Sequence, residues 1–277
     1  MSIVNIAIIG CGYIGMEAAS LWKKKGFTIT GTTRNPDRVD ELSRYAQKAV
    51  ILKGNDEEEL ALVIKNNSCI VVTIAADSPE HYESAYLNTS QIIRHLALEM
   101  DTPKQLIYTS STSVYGDHHG QWVDETSSLL SRSDQGKILI DAEKHYLSLS
   151  EIGWDVCVLR LAEIYGPGRE LSQRVKQLEG HALPGSGDHY TNMIHKKDCA
   201  DALDYALKHH LQGTYNLADD EHPTRKELYD AVSHKFKLPR VKWDPEHTPL
   251  HTGNKRVSNH KIKAEGFAFH FPHRILD

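Results

Sequence analysis

Apolar residues along the chain come in short runs, and between the runs they recur every three or four positions. Ile3–Ile9 is a mostly apolar run closed by Gly10. Phe27–Thr33 is short and β-branched, and Val50–Leu52 is brief. Cys69–Ala75, Gln105–Ser110 and Val156–Leu161 complete a set of predicted buried strands. The segments between them have helical spacing. Tyr13–Lys25 stops at Gly26, Asn35-Pro36-Asp37 opens a second helix, and Pro79–Met100 and Ser133–Ser150 read as longer ones. The acidic run Asp56–Glu59 fits a helix start, and Lys23–Lys25 fits a helix end, because each charge sign suits the helix dipole there. Strand and helix alternating at this rhythm predict an α/β fold whose parallel sheet is covered on both faces.

The pattern loosens after residue 165. Ser172–Gly180, Asp198–His210 and Thr224–Phe236 are predicted helices. Tyr190–His195 and Thr214–Leu217 are predicted strands, and Pro184–Gly187 is a turn. Beyond Leu238 the chain is rich in Pro, His and Lys with weak periodicity. This organisation predicts a main domain over 1–165 and a small C-terminal α+β lobe over 166–277, packed as one compact unit.

Composition narrows the function classes. The 277 residues are 40% hydrophobic and 25% charged, as in ordinary globular proteins. Lys plus Arg number 32 against 37 Asp plus Glu, a net charge of −5, which argues against a general nucleic-acid partner. No apolar run approaches the ~20 residues of a membrane span, and the N-terminus lacks the basic start and cleavage site of a signal peptide. A cytoplasmic protein without a membrane partner is the expectation. Cys11, Cys69, Cys157 and Cys199 lie in or beside apolar stretches without C-x-x-C spacing, so buried free thiols are expected. The histidine clusters His118-His119, His209-His210 and His270-x-x-His273 have no partners at a ligand spacing, and no metal site is expected.

Gly10-Cys11-Gly12-Tyr13-Ile14-Gly15 matches G-x-G-x-x-G between a predicted strand and a predicted helix. In that setting Gly10 permits a tight turn, Gly12 admits a pyrophosphate, and Gly15 lets helix and strand pack closely. The amides of Tyr13 and Ile14 open the helix whose N-terminus favours phosphate. The fold class is thereby sharpened to a doubly wound Rossmann-type sheet. An acid that would hold the ribose of NAD is missing from the end of the second strand, which reads Thr32-Thr33-Arg34-Asn35. Arg34 can pair with a 2′-phosphate, with Thr33 and Asn35 as hydrogen-bond donors, so NADP is favoured and NAD is the alternative.

Further motifs occur in order. Ser110–Gly116 (SSTSVYG) follows the fifth strand, and Arg160–Gly168 (RLAEIYGPG) spans the end of the sixth. His195-Lys-Lys-Asp198 precedes a helix, and Gly213-Thr-Tyr-Asn216 ends the last predicted strand. Over residues 3–235 the sequence resembles the extended short-chain dehydrogenase/reductase superfamily, its NAD-dependent epimerase/dehydratase group. The form of the glycine loop and Lys255-Arg-Val-Ser258-Asn259 resemble the atypical branch. The resemblance implies that Ser111 contacts a substrate carbonyl or hydroxyl, and that Ala75 and Ala76 line the cofactor. It matches Asn88 to an asparagine on the fourth helix. It also implies that Ile164 and Tyr165 flank the nicotinamide and that Arg169, His195 and Asp198 fall in the substrate region. A small-molecule substrate such as a nucleotide sugar, and a homodimer, are implied in the same way.

The family's acid/base pair, Tyr-x-x-x-Lys, is not found. Aligning its helix through Ala142-Glu143 puts Gln135 at the tyrosine and Leu139 at the lysine, and none of the twelve tyrosines has Lys four residues on. Glutamine does not titrate near neutral pH and leucine carries no charge. Three readings follow. An oxidoreductase or epimerase could use another acid/base, first Tyr115, then His118 or His119; Lys137 is two residues out of register. Alternatively the chain is a non-catalytic NADP(H)-binding redox sensor or regulatory module. The third reading is a catalytically silent structural relative.

Overall fold

The structure is a computed structural model that describes residues 5–52, 56–102, 104–247 and 253–277. Ile3 and Val4 of the first predicted strand therefore lie outside the described residues. The chain divides into two compact units. Unit 1 comprises Met1–Ser111, Ser133–Arg160 and Cys199–Tyr215, and unit 2 comprises Thr112–Arg132, Leu161–Asp198 and Asn216–Asp277. Residues 199–215 return to the main sheet, while 112–132 leave it before the next crossover helix.

The main sheet has seven parallel strands. In chain order they are β1 (Asn5–Ile9), β2 (Thr28–Thr33), β3 (Lys48–Ile51), β4 (Cys69–Val72), β5 (Gln105–Ser111), β6 (Asp155–Leu161) and β7 (Gly213–Leu217). Their order across the sheet is β7-β6-β5-β4-β1-β2-β3. The chain winds outward from β1 through β2 and β3, then returns to β4 on the other side of β1, so the switch point lies between β1 and β4. In register, Ile6 faces Ile29 on one side and Cys69 on the other. Every residue of β4 is buried, as continuous apolar runs in a doubly covered sheet require.

Local signals set the helices. Asp56 caps Glu57–Lys65 by accepting the Glu59 amide, and Ser133 caps Asp134–Leu147 by accepting that of Gly136. The long helix expected over Pro79–Met100 is instead a 3₁₀ turn at Pro79–His81, a π-helical stretch at Glu83–Asn88 and an α-helix at Thr89–Leu98. The 3₁₀ and π-helical pieces span about one turn each, too short for their different periods to show in the sequence pattern. The core of unit 1 gathers Ile9, Val72, Leu106, Tyr108, Tyr146 and Val158. Each fully buried large side chain there contributes about 1.5–3 kcal/mol over its exposed state.

Unit 2 is made from shorter pieces. Glu163–Tyr165 pairs in parallel with Met193–His195 over a core that includes Tyr165, Leu171, Met193 and Val232. The expected strand Tyr190–His195 is shortened because the amides of Tyr190 and Thr191 bond to Asn254 Oδ1 and the Pro223 carbonyl. Thr224 and Glu227 form a reciprocal capping box at the start of Arg225–Phe236. The weakly patterned C-terminal region supplies strands Lys242–Asp244 and Arg256–Val257 and helix His260–Ala264. All four cysteines are buried, and none forms a disulfide among the described residues.

Candidate functional site

The glycine loop follows β1 at the switch point. Gly10 has φ of +79°, and a Cβ there would lie 2.7 Å from Ile74 Cα, so this position is closed to other residues by backbone and neighbour alike. A Cβ on Gly15 would lie 2.7 Å from Thr73 Oγ1 and 3.0 Å from Ile8 Cγ2. A Cβ on Gly12 would meet nothing nearer than the Gly10 carbonyl oxygen at 3.8 Å. Two of the glycines are thus demanded by the protein's own packing, whereas the third faces open space, where close approach by a ligand would require its missing side chain.

Hydrogen bonds fix the loop from both neighbouring strands. The Gly10 amide donates to Thr32 Oγ1 at 3.0 Å, the Cys11 amide to the Thr32 carbonyl at 2.8 Å, and Thr73 Oγ1 to the Gly10 carbonyl at 2.9 Å. The following helix, Tyr13–Lys24, begins at Gly12 without a side-chain cap and without an acid in its first turn. Its N-terminal amides and partial positive charge suit a phosphate group. Ile14 is buried beneath them. Burial pushes the Cys11 thiol up to about 12, so it remains a neutral packing residue.

At the end of β2, Thr33 is buried and its hydroxyl accepts the Asn35 amide at 3.2 Å. Asn35 Oδ1 accepts the Asp37 amide at 2.9 Å and caps a short 3₁₀ turn. These two side chains serve the local turn. Arg34 is half exposed and pairs with Asp77 beyond β4, Nη2 to Oδ2 at 3.3 Å. Asp77 also holds His81, Oδ1 to Nδ1 at 2.7 Å, and that hydrogen bond, aided by Arg34, keeps its carboxyl below the ordinary range. Ala75 is exposed and Ala76 half-buried on the same segment. The amide of Ala76 is hydrogen-bonded to the Tyr86 hydroxyl, and Tyr86 lies against Tyr82 with ring centroids 4.7 Å apart. Gly10–Gly15, Thr33–Asn35, Ala75–Asp77 and Ser111 therefore all stand at the carboxyl ends of strands of unit 1.

Ser111 is the half-buried last residue of β5, and Ser110 beside it is buried. On the helix Asp134–Leu147, Gln135 is exposed and Leu139 is buried. Lys137 is exposed beside Asp134 at 3.4 Å. One turn beyond Leu139, Glu143 forms a buried bidentate pair with Arg160, with contacts of 2.7 and 3.0 Å.

Unit 2 holds the remaining candidates. Tyr115 is fully buried and donates its hydroxyl proton to Asn216 Oδ1 at 2.8 Å; Asn216 Nδ2 in turn donates to the Ser258 carbonyl at 3.1 Å. A phenol committed in this way holds the loop after β5 and is poorly placed to move a proton to a substrate. His118 bonds to the Ser128 carbonyl, and His119 is largely exposed. Ile164 is half-buried. Tyr165 is buried, its hydroxyl accepts the Ile275 amide at 3.2 Å, and burial pushes its pKa up to about 12. His195 lies between the rings of Tyr165 and Phe271, and its Nδ1 accepts the Lys197 amide at 3.2 Å. A Cβ on Gly166 would be 2.7 Å from His195 Nε2, so the imidazole is packed on both sides and stands as an internal support. Asp198 is buried and accepts the amides of His270 and Phe271, which anchors the C-terminal segment. Arg169 is exposed in the turn closed by its amide on the Gly166 carbonyl at 2.7 Å.

Asp77, Tyr86, Asn216 and Lys255 were not singled out as site residues by sequence reasoning. Asp77 directly follows Ala75-Ala76, and that adjacency was the available signal. The partners of Asn216 and Lys255 are remote in sequence, whereas Tyr86 meets Tyr82 four residues earlier.

Comparison with known proteins gives the family and the fold. A model of the NAD dependent epimerase/dehydratase family matches residues 6–218. Protein YeeZ of Escherichia coli is 28% identical over 280 residues, 98% of each chain. The solved dTDP-glucose 4,6-dehydratase of Bacillus anthracis, in complex with NAD, superposes with a TM-score of 0.81 at 20% identity, over 97% of this chain and 92% of that one. The UDP-glucose 4-epimerase of Thermotoga maritima, with UDP-glucose, gives 0.81 at 18% identity, over 96% and 94%. The family match spans most of the described sheet and its glycine loop, and the chain belongs to the NAD dependent epimerase/dehydratase family.

Proposed function

We propose that the chain binds NADP(H), with NAD(H) as the alternative, along the carboxyl edge of unit 1. We further propose that it is an oxidoreductase or epimerase acting on a small polar substrate such as a nucleotide sugar. The observation that carries the reading is the contrast among the glycines: Gly10 and Gly15 are filled against by the protein, and Gly12 is left open at an uncapped helix N-terminus. Gly12 and the amides of Tyr13 and Ile14 would hold the pyrophosphate. Thr33, Arg34 and Asn35 would border the adenosine ribose, and Ala75 and Ala76 would line the adjoining backbone. The assignment of Ile164 and Tyr165 to the nicotinamide is carried by the family resemblance alone. When bound, that ring supplies or accepts a hydride. Ser111 would hydrogen-bond the oxygen of the reacting carbon and hold it in place. Arg34 favours the 2′-phosphate, but only by leaving Asp77. A homodimer accompanies the reading as an expectation carried by the family, and a cytoplasmic location as one carried by the composition and cysteine usage of the sequence.

A second reading rests on the helix Asp134–Leu147. Neither Gln135 nor Leu139 can donate or stabilise a proton, and the Tyr115 hydroxyl is engaged by Asn216. Those residues favour a dinucleotide-binding sensor without turnover. A screen of nucleotide sugars and small carbonyl compounds, followed by NADPH absorbance, separates the two. The enzyme reading expects turnover that Ser111→Ala reduces at least ~100-fold, the order of a lost polar contact to the reacting oxygen. Binding of NADPH with no turnover of any substrate favours the sensor.

A further inference from the structure

Arg34 follows the last residue of β2, and it already has an anion. Asp77 arrives from beyond the end of β4 and places Oδ2 3.3 Å from Arg34 Nη2. Its other oxygen, Oδ1, lies 2.7 Å from Nδ1 of His81, on the 3₁₀ turn Pro79–His81. One carboxylate therefore joins a permanent cation to a titratable ring. The side chains of Arg34, Asp77 and His81 are 42, 64 and 57% exposed, so the pair on Arg34 is a weak, solvated one that a more highly charged group can displace. All three residues belong to unit 1.

A phosphate monoester carries a charge of about −1.5 to −2 near neutral pH and suits a guanidinium fork. To take Arg34 it must displace Asp77, and it then stands beside the carboxylate it displaced, where like charges repel. The ring decides how strongly. A neutral imidazole donates Nδ1–H and leaves the carboxylate charge to be balanced by Arg34. An imidazolium balances that charge itself and releases Arg34. Histidine is the side chain whose ordinary titration falls between about pH 5 and 8. The same turn carries one more charged group, Glu80, whose carboxyl is held low chiefly by the Ser78 hydroxyl and in smaller part by His81. Ser78 Oγ lies 3.4 Å from the ring nitrogen Nδ1, and Ser84 Oγ donates to the His81 carbonyl at 3.1 Å, which fixes the turn that carries the ring.

We infer that Asp77 and His81 set the choice between NADPH and NADH: the carboxylate competes with the 2′-phosphate for Arg34, and protonation of His81 relieves the competition. The inference rests on the cofactor reading proposed above and adds to it the two residues that tune it. NADH carries a hydroxyl in place of the phosphate, displaces nothing from Arg34, and should be indifferent to the state of the ring. Preference for NADPH should therefore rise as pH falls through the histidine range.

The test is calorimetric titration of the full chain, of Asp77→Asn and of His81→Gln with NADPH and NADH at pH 8 and pH 6. Glutamine keeps an N–H donor for Asp77 without the titration. The 2′-phosphate itself gains protons over this range, equally against every protein, so each variant is read against wild type at the same pH. At pH 8, Asp77→Asn should bind NADPH about two- to fivefold tighter than wild type, and His81→Gln should match wild type. At pH 6, wild type should approach Asp77→Asn, while His81→Gln should bind NADPH about two- to fivefold more weakly than wild type. NADH affinity should be the same in all three proteins at either pH. The inference is overturned if His81→Gln tracks wild type at both pH values, if Asp77→Asn binds NADPH no tighter at pH 8, or if NADH changes as much as NADPH. Both variants should melt with wild type, and a variant melting well below it would make the pair structural and overturn the inference too. Absence of binding of either nucleotide to folded wild type would break the cofactor reading and the inference with it, whereas binding without these differences breaks the inference alone.

Discussion

At the carboxyl edge of unit 1, form follows from side chains that are missing. Gly10 is pressed against Ile74, and Gly15 against Thr73 and Ile8, so β1, β4 and the first helix approach closely enough to aim backbone amides outward. Unit 2 achieves order by the opposite means, taking charged and polar side chains inside. Arg274 on Asp219, Asp198 on the amides of His270 and Phe271, and Tyr115 on Asn216 tie segments far apart in sequence. The difference teaches where each region will fail. The first should be sensitive to added volume and the second to removed charge.

The largest expected effect is therefore in unit 2. Arg274→Met leaves Asp219 buried without its partner and should cost about 3–5 kcal/mol in denaturant unfolding. A loss below about 1 kcal/mol would show that the pair does not hold the C-terminal segment. In unit 1, Gly15→Ala should cost about 1–3 kcal/mol, because its methyl group meets Thr73 and Ile8 in a packed interior. Gly12→Ala should cost less stability than Gly15→Ala yet weaken dinucleotide binding by about tenfold or more, the scale of one lost close contact. If the two alanine variants lose stability equally, the distinction among the glycines fails.

The pattern of apolar runs exposed most of unit 1 in advance. β4 and β6 are buried on both faces and read as continuous hydrophobic segments, and the glycine loop carries its own punctuation. Unit 2 was less legible for a physical reason. Its short strands are stabilised by partners such as Asn254 for Tyr190 and Asp219 for Arg274, which a local pattern does not display. Tyr115 and His195 illustrate the same limit: residue type suggested chemistry, while burial and hydrogen bonding assign them to support. The π-helical stretch at Glu83–Asn88 was hidden because it is six residues long, too short for its wider period to show.

Smaller effects sharpen the contrast. Burial lowers the pKa of His222 from 6.5 to about 4, with Arg274 adding to the effect. The unfolded chain then binds a proton that the folded one refuses between those values, so stability should fall as pH drops from about 6.5 towards 4. His222→Gln should flatten that part of the unfolding profile; an unchanged profile would assign the acid sensitivity elsewhere. In unit 1, Asp77→Asn frees Arg34 from its counter-charge and should improve NADPH affinity by a few-fold while leaving NADH little changed, as expected of an exposed ion pair worth under about 1 kcal/mol. Equal changes for both cofactors would remove Arg34 and Asp77 from the choice between them.

The central claim is that the carboxyl edge of unit 1 is a dinucleotide site in which Gly12 yields space to the ligand. Its most direct test is calorimetric titration of the folded wild-type chain and of Gly12→Ala with NADPH and with NADH. The account predicts saturable binding, tighter for NADPH, weakened about tenfold or more in a Gly12→Ala protein that still unfolds cooperatively. Absence of binding to either nucleotide by a cooperatively folding wild type, or equal affinity in wild type and Gly12→Ala, would contradict it.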